Sequence, residues 1–296
     1  MDVSIIIVNY NTLNVTSQCI DSIYALTKDI DFEVILVDNA SIDGSKEYFQ
    51  ENNRITYIYS EENLGFGRAN NLGLTFAKGR NILYLNPDTV LMNNAVKILS
   101  DYLDHHPNVG ACGGNLYDEK FNPTLSYRRI FPGISEEFNN LFFHFPEKLF
   151  FFNTWSHNKS HKTLTVANIS GADLMVRKTV LDITGAFSPD FFMYYEETDL
   201  CFRIYQAKFK IISVPSASIQ HLEGKSFKSG IDLKRITASE NGRMIFYKRN
   251  YTSCYCKIAN HIYKITLSIH YFIYSLLGYK EIAQLCKMKK NILKRQ

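Results

Sequence analysis

No run of apolar residues in this sequence of 296 is long enough to span a bilayer. The best stretch, Ile258 to Tyr279, is interrupted by Asn260, His261, Lys264 and His270. A charge excess is missing too: 33 basic residues against 29 acidic ones leave a formal net charge of +4, too balanced for nucleic acid to be the main partner. Cysteine is sparse and scattered: Cys19, Cys112, Cys201, Cys254, Cys256 and Cys286 show no metal-type pairing, and a chain of this length needs no disulfide staples. Strand-like residues begin almost at Met1, so no secretory leader is expected and a reducing cytosol is the expected setting. What is present is core material, with 46% hydrophobic residues, enough for one large α/β domain with a tail or for two small domains.

The chain begins with regular alternation. Val3 to Val8 reads as a fully buried strand that ends in Asn9, Tyr10 and Asn11. Asn14 is placed to cap a helix whose apolar face carries Val15, Cys19, Ile23 and Leu26. Glu33 to Val37 is a second strand, closed by Asp38 and Asn39, and Asp43-Gly44-Ser45 turns into another helix. Ile55 to Tyr59 is a third strand, Asn63 to Gly67 a loop and Arg68 to Lys78 a helix. Asn81 to Leu85 is a fourth strand ending in Asn86-Pro87-Asp88, and Met92 to His105 a further helix. Such repetition predicts a mainly parallel sheet wrapped by helices, in which ligands sit at the carboxyl ends of the strands. The polar clusters all fall at those ends.

From about Asn115 to Thr165 the pattern turns irregular and aromatic, with Phe131, Phe138, Phe142, Phe143, Phe145 and Trp155 among its rings. A lid or acceptor-binding insertion and a helical packing element both fit it. Regular structure returns at Ser170-Gly171-Ala172 with a strand at Leu174 to Arg177, then the acidic cluster Glu196-Glu197-Thr198-Asp199, a helix over Leu200 to Ala207 and a strand over Lys210 to Val214. His221-Leu222-Glu223-Gly224-Lys225-Ser226 follows.

Three chemistries can be read from these residues. Asp38 at a strand end can accept a hydrogen bond from the imide N–H of a pyrimidine base, with Asn9, Tyr10 and Asn11 beside it, or it can cap the following helix. Asp88 can bind a divalent cation that grips a diphosphate, where charge builds as a leaving group departs; Asn-Pro-Asp is also a common turn. A carboxylate of the acidic cluster can take the proton of an attacking hydroxyl, or the cluster is the acidic first turn of a helix. His221 can serve as a metal ligand or a phosphate donor.

Taken in order, these segments resemble the large inverting glycosyltransferase family usually numbered two, which has the GT-A fold, and within it the bacterial rhamnosyltransferase-like branch. The segments Val3-Ser4-Ile5-Ile6-Ile7-Val8-Asn9-Tyr10-Asn11 and Glu33-Val34-Ile35-Leu36-Val37-Asp38-Asn39-Ala40-Ser41-Ile42-Asp43-Gly44-Ser45 look like its opening strand and base-binding segment. Asn63-Leu64-Gly65-Phe66-Gly67-Arg68-Ala69-Asn70-Asn71 is similar to its third motif, and Leu83-Tyr84-Leu85-Asn86-Pro87-Asp88 occupies the place of its Asp-x-Asp metal motif. Ser170-Gly171-Ala172 and Phe191 to Arg203 resemble the acceptor-side motifs, and His221 with Gly224 and Ser226 the closing one. The match covers roughly residues 1 to 226.

The resemblance implies an α/β GT-A fold, with a Rossmann-like nucleotide-binding half over residues 1–110 and an acceptor half over 111–250; the basic, aromatic composition beyond it reads as an amphipathic helical tail over 251–296. It implies Glu197 as catalytic base, and Asn9, Tyr10, Asn11, Asp38, Asn39, Asp43, Gly65 and Asn70 as nucleotide-binding residues. Asn86, Gly171, Ala172, Glu196 and Asp199 would meet donor or acceptor sugar, and Asp88 with His221 would hold Mg²⁺ or Mn²⁺. Two departures stand out: Asn86 replaces the first aspartate of Asp-x-Asp, and Glu197 is one methylene longer than the family's aspartate. The implied partners are a nucleotide-diphosphate sugar donor and a glycan or lipid-linked glycan acceptor. The tail, with Lys257, Lys264, Lys280, Lys287, Lys289, Lys290, Lys294 and Arg295 against Glu281, can lie on the inner face of the cell membrane or pack on the domain with a solvated basic end. A nucleotidyltransferase would need a basic Gly-rich loop, and Asn9 to Leu13 contains neither Gly nor Lys. A catalytically silent nucleotide-sugar-binding scaffold is the other reading, favoured by Asn86 and opposed by the intact acidic cluster.

Overall fold

The computed structural model describes residues 1–152, 154–222 and 232–294. Glu223, Gly224, Lys225 and Ser226 of the closing motif, and Arg295 of the tail, lie outside the described residues. The first half alternates as β1 (Val3–Asn9), α1 (Leu13–Leu26), β2 (Phe32–Asn39), α2 (Ser45–Gln50), β3 (Thr56–Ser60), α3 (Phe66–Leu74) and β4 (Asn81–Leu85). β5 (Thr89–Leu91), α4 (Ala95–His105) and β6 (Val109–Tyr117) follow. The irregular region holds β7 (Tyr127–Arg128), α5 (Ile134–Leu141), α6 (Phe145–Phe150), β8 (Leu164–Thr165) and β9 (Asn168–Ile169). Then come β10 (Asp173–Arg177), α7 (Lys178–Thr184), α8 (Glu196–Gln206) and β11 (Lys210–His221), and finally α9 (Leu233–Asn250), α10 (Ser253–Leu276) and α11 (Lys280–Ile292).

The main sheet runs β3-β2-β1-β4-β10-β6-β11-β5, with β8 paired to β11. β3, β2, β1 and β4 are parallel, as are β6 and β11, while β10 enters antiparallel between β4 and β6. Every residue of β1 is buried, which explains its unbroken apolar run: both faces of the strand are covered. Ile5 and Ile7 pack with Cys19, Ile20 and Leu99 on one face, and Ile6 with Tyr84, Phe187 and Ile204 on the other.

Several local expectations change. Asn14 does not cap α1. Thr12 is the N-cap, and the exposed Leu13 N–H donates to Asp43 Oδ2 at 2.9 Å, a contact across 30 residues that no local pattern announces. α3 spans Phe66–Leu74 rather than Arg68 to Lys78, α4 starts at Ala95 rather than Met92, and α8 starts at Glu196 rather than Leu200. β11 does not stop at Val214: its pairing with β6 slips between Ser213 and Ser218 and resumes to Gln220, while His221 pairs with Thr89 of β5.

The C-terminal helices dock through a buried ionic knot. Arg243 Nε and Nη2 donate to Glu137 Oε1 at 3.1 and 2.5 Å, and Tyr247 OH donates to the same oxygen at 2.7 Å. Arg243 Nη1 also donates to Asn260 Oδ1 at 2.8 Å, which ties α5, α9 and α10 together. Removing one partner of such a pair strands the other charge in the interior. Arg243→Ala is expected to lower unfolding free energy by about 3–5 kcal/mol, measured by urea denaturation; a loss within about 0.5 kcal/mol, the scatter of ordinary surface substitutions, would show that the knot carries no stability.

Candidate active site

The first predicted group lies at the carboxyl edge of β1 and β2, where Asn9 and Asp38 stand in register. Asn9 Oδ1 accepts from Thr12 Oγ1 at 2.7 Å and Thr16 Oγ1 at 3.0 Å, and its Nδ2 donates to Ser41 Oγ at 3.0 Å. Asn11 accepts from the Ile42 N–H at 2.8 Å. Asp38 accepts the Ser41 N–H at 3.0 Å and the Tyr57 hydroxyl at 2.8 Å and has no solvent exposure. A base would therefore meet the Asp38 carboxylate only after Tyr57 or the following loop moves aside. Asp43 holds the start of α1 and accepts from Ser45 Oγ at 2.6 Å. These four residues build the strand-end loops, and Tyr10, like Asn11 and Asp43, is exposed.

Asn39 carries the arrangement onward. Its Nδ2 donates to Asn63 Oδ1 at 2.9 Å and its Oδ1 accepts the Leu64 N–H at 2.8 Å. Gly65 is left-handed, with φ 78°, and a Cβ there would lie 2.2 Å from the Phe192 carbonyl oxygen. The Phe66 N–H donates to that same carbonyl at 3.0 Å, so the third motif is stitched to the loop leading into α8. Asn70 is buried and donates to the Phe66 carbonyl at 3.0 Å, a bond within its own helix.

The second group forms where β4 ends. The Asn86 N–H donates to Ala172 O at 3.0 Å, and the return of β11 brings His221 back across 135 residues. His221 Nε2 lies 3.3 Å from Asp88 Oδ1 and 3.4 Å from Asn86 Nδ2. Two donor atoms bound at right angles to one small divalent cation stand about 3 Å apart, so the imidazole and carboxylate are spaced as shared ligands would be, with the Asn86 amide within reach. Asp173, which the sequence reading passed over, is fully buried nearby. Its Oδ2 accepts the Gly114 N–H at 2.5 Å, and among the described residues its Oδ1 has no hydrogen-bond partner. Burial pushes its carboxyl up to about 7, against the pull of the Gly114 bond and the His221 charge. Its signal was an aspartate directly after Ser170-Gly171-Ala172, where a buried strand begins. A separate trio, Glu136, His144 and Glu147, gathers ligand-type atoms within 4.8 Å of one another in the aromatic insertion. Asn139 Nδ2 donates to both His144 Nδ1 and Glu147 Oε2, at 2.9 and 2.7 Å, and latches α5 to α6.

The third group sits at the first turn of α8. Tyr194 and Tyr195, both left-handed with φ 72° and 71°, turn the chain sharply into Glu196 and Glu197. A Cβ on Gly171 would lie 3.8 Å from the Glu197 Cβ and 3.7 Å from the Phe66 ring, so the glycine packs directly beside the root of that side chain. Glu196 is buried, with Oε2 unpartnered, whereas Glu197 reaches solvent and accepts from Thr198 Oγ1 at 3.2 Å. Burial holds both carboxyls above their ordinary value, and for Glu196 the Glu197 charge adds to it. At Glu197 desolvation thus outweighs the backbone and Thr198 hydrogen bonds and the Arg128 charge, which favour the anion. Asp199, expected at the sugar, has another place. It is fully buried and bonded by Arg203 Nε at 2.8 Å, Arg249 Nε at 3.4 Å and Asn250 Nδ2 at 3.3 Å, so it fastens α8 to α9.

The second and third groups meet through one turn: Ala172 bonds Asn86, and Gly171 borders Glu197. The family model for glycosyl transferase family 2 matches residues 4–168, more than half of the chain. The chain belongs to that family. Relatives include a glycosyltransferase of Streptococcus pneumoniae, 30% identical over 101 residues, a third (33%) of each chain. A low-salt glycan biosynthesis hexosyltransferase of Haloferax volcanii is 25% identical over 215 residues, 68% of this chain and 61% of that one. The N-acetylglucosaminyl-diphospho-decaprenol L-rhamnosyltransferase of Mycobacterium tuberculosis is 26% identical over 210 residues, 65% of this chain and 67% of that one. The matches thus span from a third to two thirds of these relatives' lengths. Among solved structures, GalNAc-T7 with UDP, GalNAc and Mn²⁺ superposes with a TM-score of 0.63 at 14% identity, over 99% of this chain and 54% of that one. The mannosyltransferase PcManGT from Pyrobaculum calidifontis with GDP-Man and Mn²⁺ gives a TM-score of 0.58 at 16% identity, over 98% and 84%. At such identities the likeness is one of fold, and this family member has the GT-A fold expected of it, followed by the helical C-terminal region.

The stitch at Gly65 makes a test. Gly65→Ala is expected to cost about 1–3 kcal/mol of stability and to displace the loop that carries Glu197. Thermal unfolding and donor titration would read it. A variant as stable as the parent, with unchanged donor affinity and turnover, would show that the contact is dispensable.

Proposed function

We propose that this protein is an inverting glycosyltransferase that moves a hexose from a nucleotide-diphosphate sugar to a hydroxyl of a growing cell-surface or lipid-linked glycan. The observation that carries the reading is the solvent-reaching Glu197, raised by burial, joined through the Gly171–Ala172 turn to the Asn86, Asp88 and His221 cluster. Rhamnose from a deoxythymidine-diphosphate donor is the first sugar to try, supported by the mycobacterial rhamnosyltransferase among the relatives.

Asp88 and His221, with the Asn86 amide, would hold Mg²⁺ or Mn²⁺, which when bound supplies positive charge for the departing diphosphate. The chain's own residues do the rest. The acceptor hydroxyl would approach Glu197 from its solvent-reaching side. The acceptor oxygen forms a bond to the anomeric carbon from the face opposite the leaving group. The bond from that carbon to the diphosphate oxygen breaks, and its electron pair leaves with the nucleoside diphosphate. The hydroxyl proton passes to the Glu197 carboxylate, and the anomeric configuration inverts. A base held above the ordinary carboxylate range binds that proton more strongly than a solvated glutamate would. Fixing both substrates across a single cleft supplies much of the remaining rate.

Three measurements test the assignment. Glu197→Gln is expected to keep donor binding and to reduce transfer by about 10²–10⁴-fold; transfer at parental rate would remove Glu197 from the role. The base acts only when deprotonated, and its pKa is raised. Activity should therefore climb with pH through an acid limb lying above about 4.3, the ordinary glutamate value, and then level off. An acid limb at the ordinary value would contradict the buried environment. Asp88→Ala should weaken Mn²⁺-dependent donor binding, followed by saturation-transfer NMR, by at least about tenfold, the loss that even an outer-shell partner produces; unchanged Mn²⁺-dependent binding would place the cation elsewhere.

A further inference from the structure

α10 buries one face and leaves another stripe uncovered. Ala259, Tyr263, Thr266 and Leu267 face the protein. Ile258, Ile262, Ile265, Ile269, Phe272 and Leu276 recur at alternating steps of four and three, which confines them to a band about 80° wide at 3.6 residues per turn. Five of the six are exposed, Phe272 at 63% and Leu276 at 71%. An apolar stripe of this period would ordinarily sit in a core or against a partner.

The aromatic insertion extends the same surface. The Phe143 ring stacks on His270 of α10 at 4.1 Å, and Leu141, Phe142 and Phe145 border a groove completed by Ile269 and Ile273. Phe145 and Leu149, one turn apart on α6, are each 65% exposed. Charge selects the occupant. Between residues 251 and 294 the sequence has seven lysines and a single acidic residue, Glu281. Lys257, Lys264, Lys280, Lys287 and Lys294 are exposed. Two copies meeting on this face would bring like charges together, whereas an anionic bilayer supplies both the apolar layer and the counter-charge. Among the described residues no helix is long and apolar enough to cross a membrane.

We infer that α10 and the α5–α6 hairpin form one membrane-docking face that lies in the plane of an anionic lipid surface. The inference goes beyond the transfer reaction and does not depend on which sugar moves. α9 packs against α10 and α11, and its Arg249 and Asn250 grip Asp199 on α8, the helix that begins with Glu196 and Glu197. The docked face is thereby tied to the helix bearing the proposed base, which would hold the acceptor side at a fixed place relative to the lipid.

The test is flotation of the full chain with vesicles of phosphatidylcholine and phosphatidylglycerol in equal parts, against phosphatidylcholine alone, at low and high salt. Binding to the anionic vesicles that weakens with salt is expected. The double variant Phe272→Asp/Leu276→Asp should lower it by about a hundredfold, roughly tenfold per side chain, with melting temperature and donor-nucleotide binding unchanged. Ile183→Asp, an exposed apolar position on α7, should leave flotation unaltered. Folded parent that floats with neither vesicle, or a double variant that floats like the parent, overturns the proposal. Equal binding to both vesicle types overturns the charge argument. A parental dimer in sedimentation equilibrium that the double variant dissociates, without vesicle binding by either, assigns the face to a second copy. Because donor binding is read separately, failure of the membrane face and failure of the transferase reading are distinguishable.

Discussion

The pairing of β10 with β4 is the constraint on which the site depends. An antiparallel strand entering a parallel sheet must satisfy its backbone groups against both neighbours, because no water reaches them there. It does so with Asp173 opposite Leu85 and Met175 opposite Cys112. That register leaves the residues just before β10 beside the residues just after β4, so Ala172 accepts from the Asn86 N–H while Gly171 lies against Glu197. A slip of one residue would turn Asp173 to the opposite face of the sheet and break this alignment.

Two of the buried carboxylates are gripped by arginines at close range. Glu137 meets Arg243, and Asp199 meets Arg203 and Arg249; both fasten helices. Glu196 and Glu197 sit in the same α8 turn as Asp199 without such a partner, and burial raises them. Removing a charge from water is costly unless a counter-charge is held close. There desolvation is the largest effect on each carboxyl, and a carboxyl with a raised proton affinity is the kind that accepts protons at working pH. The first turn of α8 thus sets an arginine-held carboxylate beside two whose proton affinity burial raises, the difference made by Arg203 of α8 and Arg249 of α9.

The strand-end polar residues show a related division. Asn9, Asn11, Asp38 and Asp43 spend their hydrogen bonds on loop construction, and Asn39 ties that construction to Asn63 and Leu64. Loops at buried strand ends need such internal satisfaction, since each buried amide or carboxyl left unpaired costs about 1–3 kcal/mol.

Sequence by itself determined the alternating α/β half, the carboxyl-edge polar clusters and the family, because fully buried strands must be apolar runs and their ends must turn polar. It also determined that Asn86-Pro87-Asp88 and Glu196-Glu197 lie at element ends. Tertiary structure alone decided the rest. His221 reached Asp88 through a strand that continues past its register slip, and no spacing rule links residues 133 positions apart. Asp43 rather than Asn14 secured α1, because the loop it stands on folds back over that helix end. Asp199 became a fastener, Asp173 a buried acid, and one face of α10 an uncovered stripe, since each outcome depends on which neighbour arrives from far along the chain, and local patterns report only neighbours within a few residues.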